Sequence, residues 1–189
     1  KDIEKDIELL NSQVNRCNEI LKSLTLNPVE EDEFIDKDIT IRSYLSEIIL
    51  SFKEISKKEF VFNFDQDSNS KKISKSIEIV YGLRNFIGNA NKFAKNTVFI
   101  NLKSDSEITE ITIEDDGNGY PRDIISKIGE PYLKSNYSND KSKQGLGLGL
   151  FIGKTLLEKN FALVHCRNSK TRSGAEVHIK WNNRELFNI

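Results

Sequence analysis

The chain has 189 residues, enough for one domain of ordinary size and an appendage, with 37% apolar and 30% charged residues. Its formal net charge of −1 leaves no single-sign field, so composition argues against nucleic acid or an anionic membrane surface as partner. No apolar run reaches the length of a spanning helix, and no signal-peptide pattern is read within these 189 residues.

A chain that starts at Lys1 and contains no Met is expected to be a piece of something longer. Cys17 and Cys166 form no C-x-x-C pair, which fits a reduced, cytoplasmic setting and gives no zinc signature. Residues 1–26 predict one helix with a narrow seam: Ile3, Ile7, Leu10, Val14, Cys17, Leu21 and Leu24 alternate at spacings of four and three. A helix lying on a globular core normally carries a wider apolar stripe, so a two-helix hairpin or helical-bundle dimer fits better. Asn27-Pro28 breaks this helix, and residues 27–38 read as an acidic linker.

Beyond the linker the pattern changes. Ile39–Ile41 predicts a short strand, and Tyr44, Leu45, Ile48, Ile49 and Phe52 a helix ending near Ser56. Val61–Phe64 is strand-like. A second helix is expected from Ile77 to Lys95 with Ser76 as its cap, then a hairpin of Thr97–Lys103 and Ile108–Glu114. Pro121 opens a short helix through Ile128. The polar segment Gly129–Gln144 is too long for a routine connection and predicts a mobile, functional loop. A helix to about Lys159 and strands Ala162–Arg167 and Ala175–Trp181 complete the chain. From residue 39 this order implies an α+β, two-layer sandwich with helices on one face of a mixed sheet.

Three stretches carry possible chemistry. In Lys143–Ile152, Gly145, Gly147 and Gly149 alternate with leucines, Leu146 and Leu148 among them, before a helix-like run. Glycines so spaced let backbone amides approach an anion, and a helix start adds its dipole. The spacing is not the dinucleotide fingerprint, and Gly153-Lys154-Thr155 is not a P-loop because that motif needs Gly at Leu148. Asn85, Asn89 and Lys92 share one helical face, which offers oxygens to a hard cation and a charge to phosphate. Asp115, at a strand end, is followed by Gly117 and Gly119; a carboxylate there can accept from an amino group while the backbone bends around a flat ring. Taken singly, these are also a solvated helix face, an Asp-Gly turn and a Gly-rich turn. Their order within one chain is what chance does not readily supply.

In that order they resemble the ATP-binding catalytic domain of sensor histidine kinases, with its Bergerat (GHKL) fold. Asn85–Phe93 resembles the N box, Asp115–Gly119 the first glycine box, Gly129–Leu133 the aromatic box, Gly145–Gly149 the second glycine box, and Ser173–Ala175 a weaker last box. The resemblance covers about residues 39–181, and 39–189 is taken as the catalytic domain. Residues 1–26 resemble the second helix of a dimerisation hairpin. That segment and Gly129–Leu133 resemble redox-responsive RegB/PrrB kinases, where Cys17 would stand at a redox-responsive position.

The resemblance implies that Asp115 takes the adenine amino group, with Gly117 and Gly119 shaping its pocket. It implies that Asn89, helped by Asn85, holds Mg²⁺, and that Lys92 meets phosphate. Gly145, Gly147 and Gly149, with Leu146 and Leu148 between them, would wrap the phosphates, and Tyr132 and Lys134 would border the nucleotide. Leu146 and Gln144 depart from the small residues frequent in the family. The implied activity is transfer of the ATP γ-phosphoryl to a His. His165 and His178 stand in late strands without a following acid, so the acceptor is expected on a dimerisation helix outside the chain. Implied partners are that helix within a homodimer and a response regulator, in a cytoplasmic fragment, and the resemblance allows an inner-membrane anchor for the parent. An ATP-hydrolysing clamp of the gyrase, MutL or Hsp90 kind would need a Glu where Asn85 stands, since an amide is a poor general base. A degenerate module that only binds nucleotide is the remaining alternative.

Overall fold

The computed structural model describes residues 40–65, 76–133 and 147–186, which belong to a compact unit spanning Asp36–Ile189. The expected seam helix with Cys17, the linker, and Lys134, Gly145 and Leu146 lie outside the described residues.

Helix α1 (Ile41–Lys53) begins where a strand was expected. Thr40 is its N-cap: the hydroxyl accepts the Ser43 amide at 3.2 Å, and Ile41 then falls in phase with Tyr44, Leu45, Ile48 and Ile49 on the buried face. A β-branched triplet outside its turn context mimics a strand; the cap decides otherwise. Strand β1 (Glu59–Phe64) leads to α2 (Ile77–Phe93), whose cap is Ser76, with its hydroxyl on the Ile79 amide at 3.3 Å. The hairpin of β2 (Thr97–Ser104) and β3 (Ile108–Asp115) follows.

Helix α3 is only Arg122–Ile125, with Pro121 as its N-cap residue, shorter than the run to Ile128 that Pro121 suggested. Helix α4 (Gly149–Lys159) precedes β4 (Leu163–Asn168), β5 (Ala175–Asn182) and a closing turn of helix, α5 (Asn183–Leu186), which sequence patterning did not indicate. The Asn183 side chain anchors that turn, accepting from Thr109 Oγ1 at 2.6 Å and donating to the Asp105 carbonyl at 2.9 Å.

The sheet order is β1-β2-β3-β5-β4, with β1 parallel to β2 and the other pairs antiparallel. Period-two alternation sends Val98, Ile100, Leu102, Ile111, Ile113, Val177, Ile179 and Trp181 inward, where they pack with the buried faces of α1, α2 and α4. This is the mixed sheet with a helical layer that the patterning predicts. The opposite face carries Asn101, Lys103, Glu110, Thr112, His178 and Lys180, with Phe99 among them. Among the described residues no helix is long and apolar enough to cross a membrane.

Candidate functional site

Alternation along β3 places Asp115 on the same inward face as Ile111 and Ile113, but at the strand's open end. It is 2% exposed, and Oδ1 accepts the Gly117 amide at 2.8 Å and the Ala175 amide at 3.3 Å. Burial pushes its pKa above the ordinary aspartate value; the two amides oppose that, and the neighbouring Asp116 and Glu114 add to it. Backbone closes on the carboxylate from two sides. A methyl group at Gly117 would lie 2.4 Å from the Phe93 carbonyl oxygen and 2.6 Å from Asp115 Oδ1. One at Gly174 would lie 1.8 Å from the Asp115 carbonyl oxygen. Only glycine lets both chains approach so closely. A buried carboxylate acceptor beside close-packed glycine backbone suits a flat ring carrying an amino donor.

Two further side chains set the loop after β3. Asp116 takes the amides of Lys95 at 2.7 Å and Asn96 at 3.0 Å, tying the loop to the C-terminal end of α2. Partial burial would raise the pKa of Asp116, but the amides of Asn96, Thr97 and Lys95 outweigh it and hold the carboxyl below its usual range. At Gly119 φ is +74°, the left-handed region, and the chain then turns into Tyr120, which Asn168 of β4 grips by its backbone. Burial drives the Tyr120 hydroxyl well above its ordinary pKa, and it lies beside Cys166, whose thiol burial pushes up to about 11.

On α2, Asn85 and Asn89 are half-buried and Lys92 is exposed, its Nζ 5.8 Å from the Phe93 ring centroid. Asn85 Nδ2 donates to the Tyr81 carbonyl at 2.8 Å, which fixes the amide and leaves Oδ1 towards α4, 3.6 Å from where a Gly149 methyl would sit. Gly82 and Gly153 allow this approach: methyl groups there would lie 2.6 Å from Leu157 and 3.0 Å from Phe86. The first turn of α4 has no side-chain cap, so its amides stay available beside an oriented amide oxygen. That combination accommodates an anion and a hard cation together.

Of the second glycine stretch, Gly147 has φ +71° and abuts the Leu133 backbone, Leu148 is buried, and Gly149 opens α4. Tyr132 is exposed at φ +63°. Lys154, in the rejected P-loop match, instead runs against Gly129 and pairs with Glu158 at 3.8 Å. His165 is exposed and His178 lies 3.7 Å from Glu110 on the outer sheet face, both away from Asp115. Sequence patterning did not single out Asp116, Asn168 or the Ala175 amide as holding the site. Asp116 and Ala175 were read only as members of the Asp115–Gly119 and Ser173–Ala175 boxes. Nothing local marks Asn168.

Residues 74–185 match the family profile described as histidine kinase-, DNA gyrase B- and HSP90-like ATPase. The chain belongs to this family. The sensor histidine kinase RegB of Cereibacter sphaeroides is 31% identical over 95% of the chain, and a putative NtrY-like sensor histidine kinase of Rickettsia bellii is 25% identical over 80%. The chain spans 42% and 23% of those relatives' lengths. Its fold is that of the mycobacterial sensor histidine kinase MprB (TM-score 0.63, 19% identity, 76% of this chain and 96% of that one). Full-length ShkA, solved in complex with AMPPNP, gives a TM-score of 0.65 at 20% identity over 92% of this chain and 36% of that one. The chain thus carries the ATPase-type domain that this family shares, and the curated relatives named here are sensor histidine kinases.

Proposed function

We propose that the chain binds ATP with Mg²⁺ and delivers the γ-phosphoryl group to a histidine on a dimerisation helix of the same kinase dimer. The observation that carries this reading is the buried Asp115 carboxylate between Gly117 and Gly174, together with the Asn85 amide beside the uncapped start of α4. Asp115 accepts the adenine amino group. Gly117 and Gly119 shape the pocket wall; Tyr132 and Lys134 border it. Asn89 and Asn85 supply oxygens to the metal, Lys92 meets phosphate, and the segment Gly145, Leu146, Gly147, Leu148 and Gly149 brings amides to the phosphate chain. The metal, when bound, neutralises charge on the phosphates. The protein's contribution is positioning and electrostatic stabilisation as the β–γ bridging P–O bond breaks and the P–N bond forms.

Asn85 also bears on the hydrolysing-clamp alternative. Its amide nitrogen is committed to the Tyr81 carbonyl, and a neutral amide does not activate water. The parent would act as a homodimer and pass the phosphoryl group to a response regulator, with this part in the cytoplasm and no nucleic acid involved. Cys17, which stands where the resemblance implies a redox-responsive residue, would modulate that output. Comparing autophosphorylation of reduced and oxidised full cytoplasmic region, wild type against Cys17→Ala, tests it; identical responses remove the role.

The direct experiment adds labelled ATP and Mg²⁺ to the chain with and without a separately made acceptor-bearing helical domain of its kinase. Acid-labile label on the helical domain is expected. Steady phosphate release without any labelled acceptor would support the clamp and sink this reading. Calorimetry on Asp115→Asn should show ATP binding lost, because the variant presents an N–H to an amino group; unchanged affinity removes Asp115 from the site.

A further inference from the structure

Glu114 and Glu176 stand directly opposite each other across β3 and β5 on the outer face of the sheet, 8% and 6% exposed. Like charges in register repel, more so when shielded from water. Each has its own arginine. Arg167 Nε lies 2.6 Å from Glu176 Oε1, and Arg172 Nε lies 3.5 Å from Glu114 Oε2. The Arg172 guanidinium also covers the ring of Phe99, the register partner of Glu114 on β2, at 3.7 Å.

Arg172 comes from the tight turn between β4 and β5, which is built around Ser169. Its hydroxyl donates to Glu114 Oε1 at 2.7 Å and takes the amides of Thr171 at 3.2 Å and Arg172 at 3.1 Å. The Ser169 amide closes the turn on the Gly174 carbonyl at 2.8 Å, and Ser173 sits at φ +62°. Gly174 is followed by Ala175, whose amide crosses to Asp115 Oδ1. Both elements that flank the Asp115 carboxylate are therefore fastened together on the face away from it.

We propose that Arg172 is a positioning residue for the nucleotide site. With Ser169 it clamps the β4–β5 turn to Glu114, the residue before Asp115, and so holds the Ala175 amide on the Asp115 carboxylate. Without Arg172, Glu114 faces Glu176 with one countercharge fewer, and the turn is tied to β3 on this face by Ser169 alone. The Ala175 amide then drifts from the carboxylate, which loses its set orientation. The role rests on the nucleotide-binding reading above and deepens it.

The test is calorimetric titration with ADP in Mg²⁺ of wild type and Arg172→Ala, with amide exchange of Ala175 followed by NMR in both. Loss of one hydrogen bond to a charged group predicts an ADP affinity about tenfold lower and faster exchange at Ala175. A surface ion pair with only a structural role would move neither. Glu114→Gln, which keeps an acceptor for Ser169 and removes the repulsion, should make a subsequent Arg172→Ala nearly silent. Unchanged ADP affinity, unchanged Ala175 exchange or full additivity overturns the positioning role. Wild-type protein that fails to bind ADP overturns the nucleotide reading itself, and this role with it.

Discussion

Asn168 holds Tyr120 by both ends of its backbone: Oδ1 accepts the Tyr120 amide at 2.5 Å, and Nδ2 donates to the Tyr120 carbonyl at 3.1 Å. One side chain on β4 thus substitutes for a strand partner where β3 has ended and the loop carrying Gly117 and Gly119 turns away. The contact is close, since a methyl at Gly119 would lie 2.6 Å from Asn168 Oδ1.

Asn168→Ala leaves a half-buried amide and carbonyl without their partner. The expected cost is about 1–3 kcal/mol of stability, measured as a lower urea midpoint. ADP affinity should fall with it, because the same loop carries the Gly117 amide that donates to Asp115. A variant as stable as wild type would mean that water replaces the amide at no cost.

The glycines between α2 and α4 make a different kind of prediction. A methyl at Gly82 would lie 2.6 Å from both Cγ and Cδ2 of Leu157, which is fully buried and has nowhere to retreat. Gly82→Ala overpacks this contact, so Tm should drop by about 3–10 °C. An unchanged melting curve would show that the two helices can separate freely.

Much of this was legible in the chain. The alternation in β2 and β3 and the phase of α2 follow directly from where apolar residues recur, and the Ser76 cap from a hydroxyl before the helix. The glycine positions were legible as well, but not what they make room for. That Gly174 lies against the Asp115 carbonyl depends on β5 pairing with β3, a contact between residues some sixty positions apart. The Asn168 clamp has the same origin. Ile41 shows the opposite failure, in which β-branched residues beside a Thr cap mimic a strand. Local pattern reads elements well; register across the sheet, which brings the site together, has no local signal.

Asn89 lies one helical turn beyond Asn85 on α2, on the face that offers amide oxygens. If its oxygen belongs to the metal, Asn89→Ala should weaken ATP binding by at least about tenfold in Mg²⁺, the loss seen even for outer-shell partners of metal ligands. In excess chelator the loss should be much smaller. Equal losses under the two conditions, read by calorimetry, would reduce Asn89 to a residue that shapes the helix.

The buried Asp115 makes a last prediction in which function and stability part company. Its folded-state pKa is raised, chiefly by burial, so the folded protein binds this proton more tightly than the unfolded chain does. For a carboxyl shifted upward, the favourable contribution is present below the unfolded pKa and is lost as pH rises through the folded one. At neutral pH the carboxylate is therefore a burden on the fold, retained for what it binds. Asp115→Asn keeps an oxygen to accept the Gly117 and Ala175 amides but buries no charge. It should melt at a higher temperature than wild type at pH 7. The advantage should shrink as pH falls towards the ordinary aspartate value of 3.8, where wild type regains its proton. Thermal melts of both proteins across that range, without nucleotide, read this directly. A variant less stable than wild type at pH 7, or a difference that ignores pH, would mean that the two amides, and not burial, dominate at Asp115.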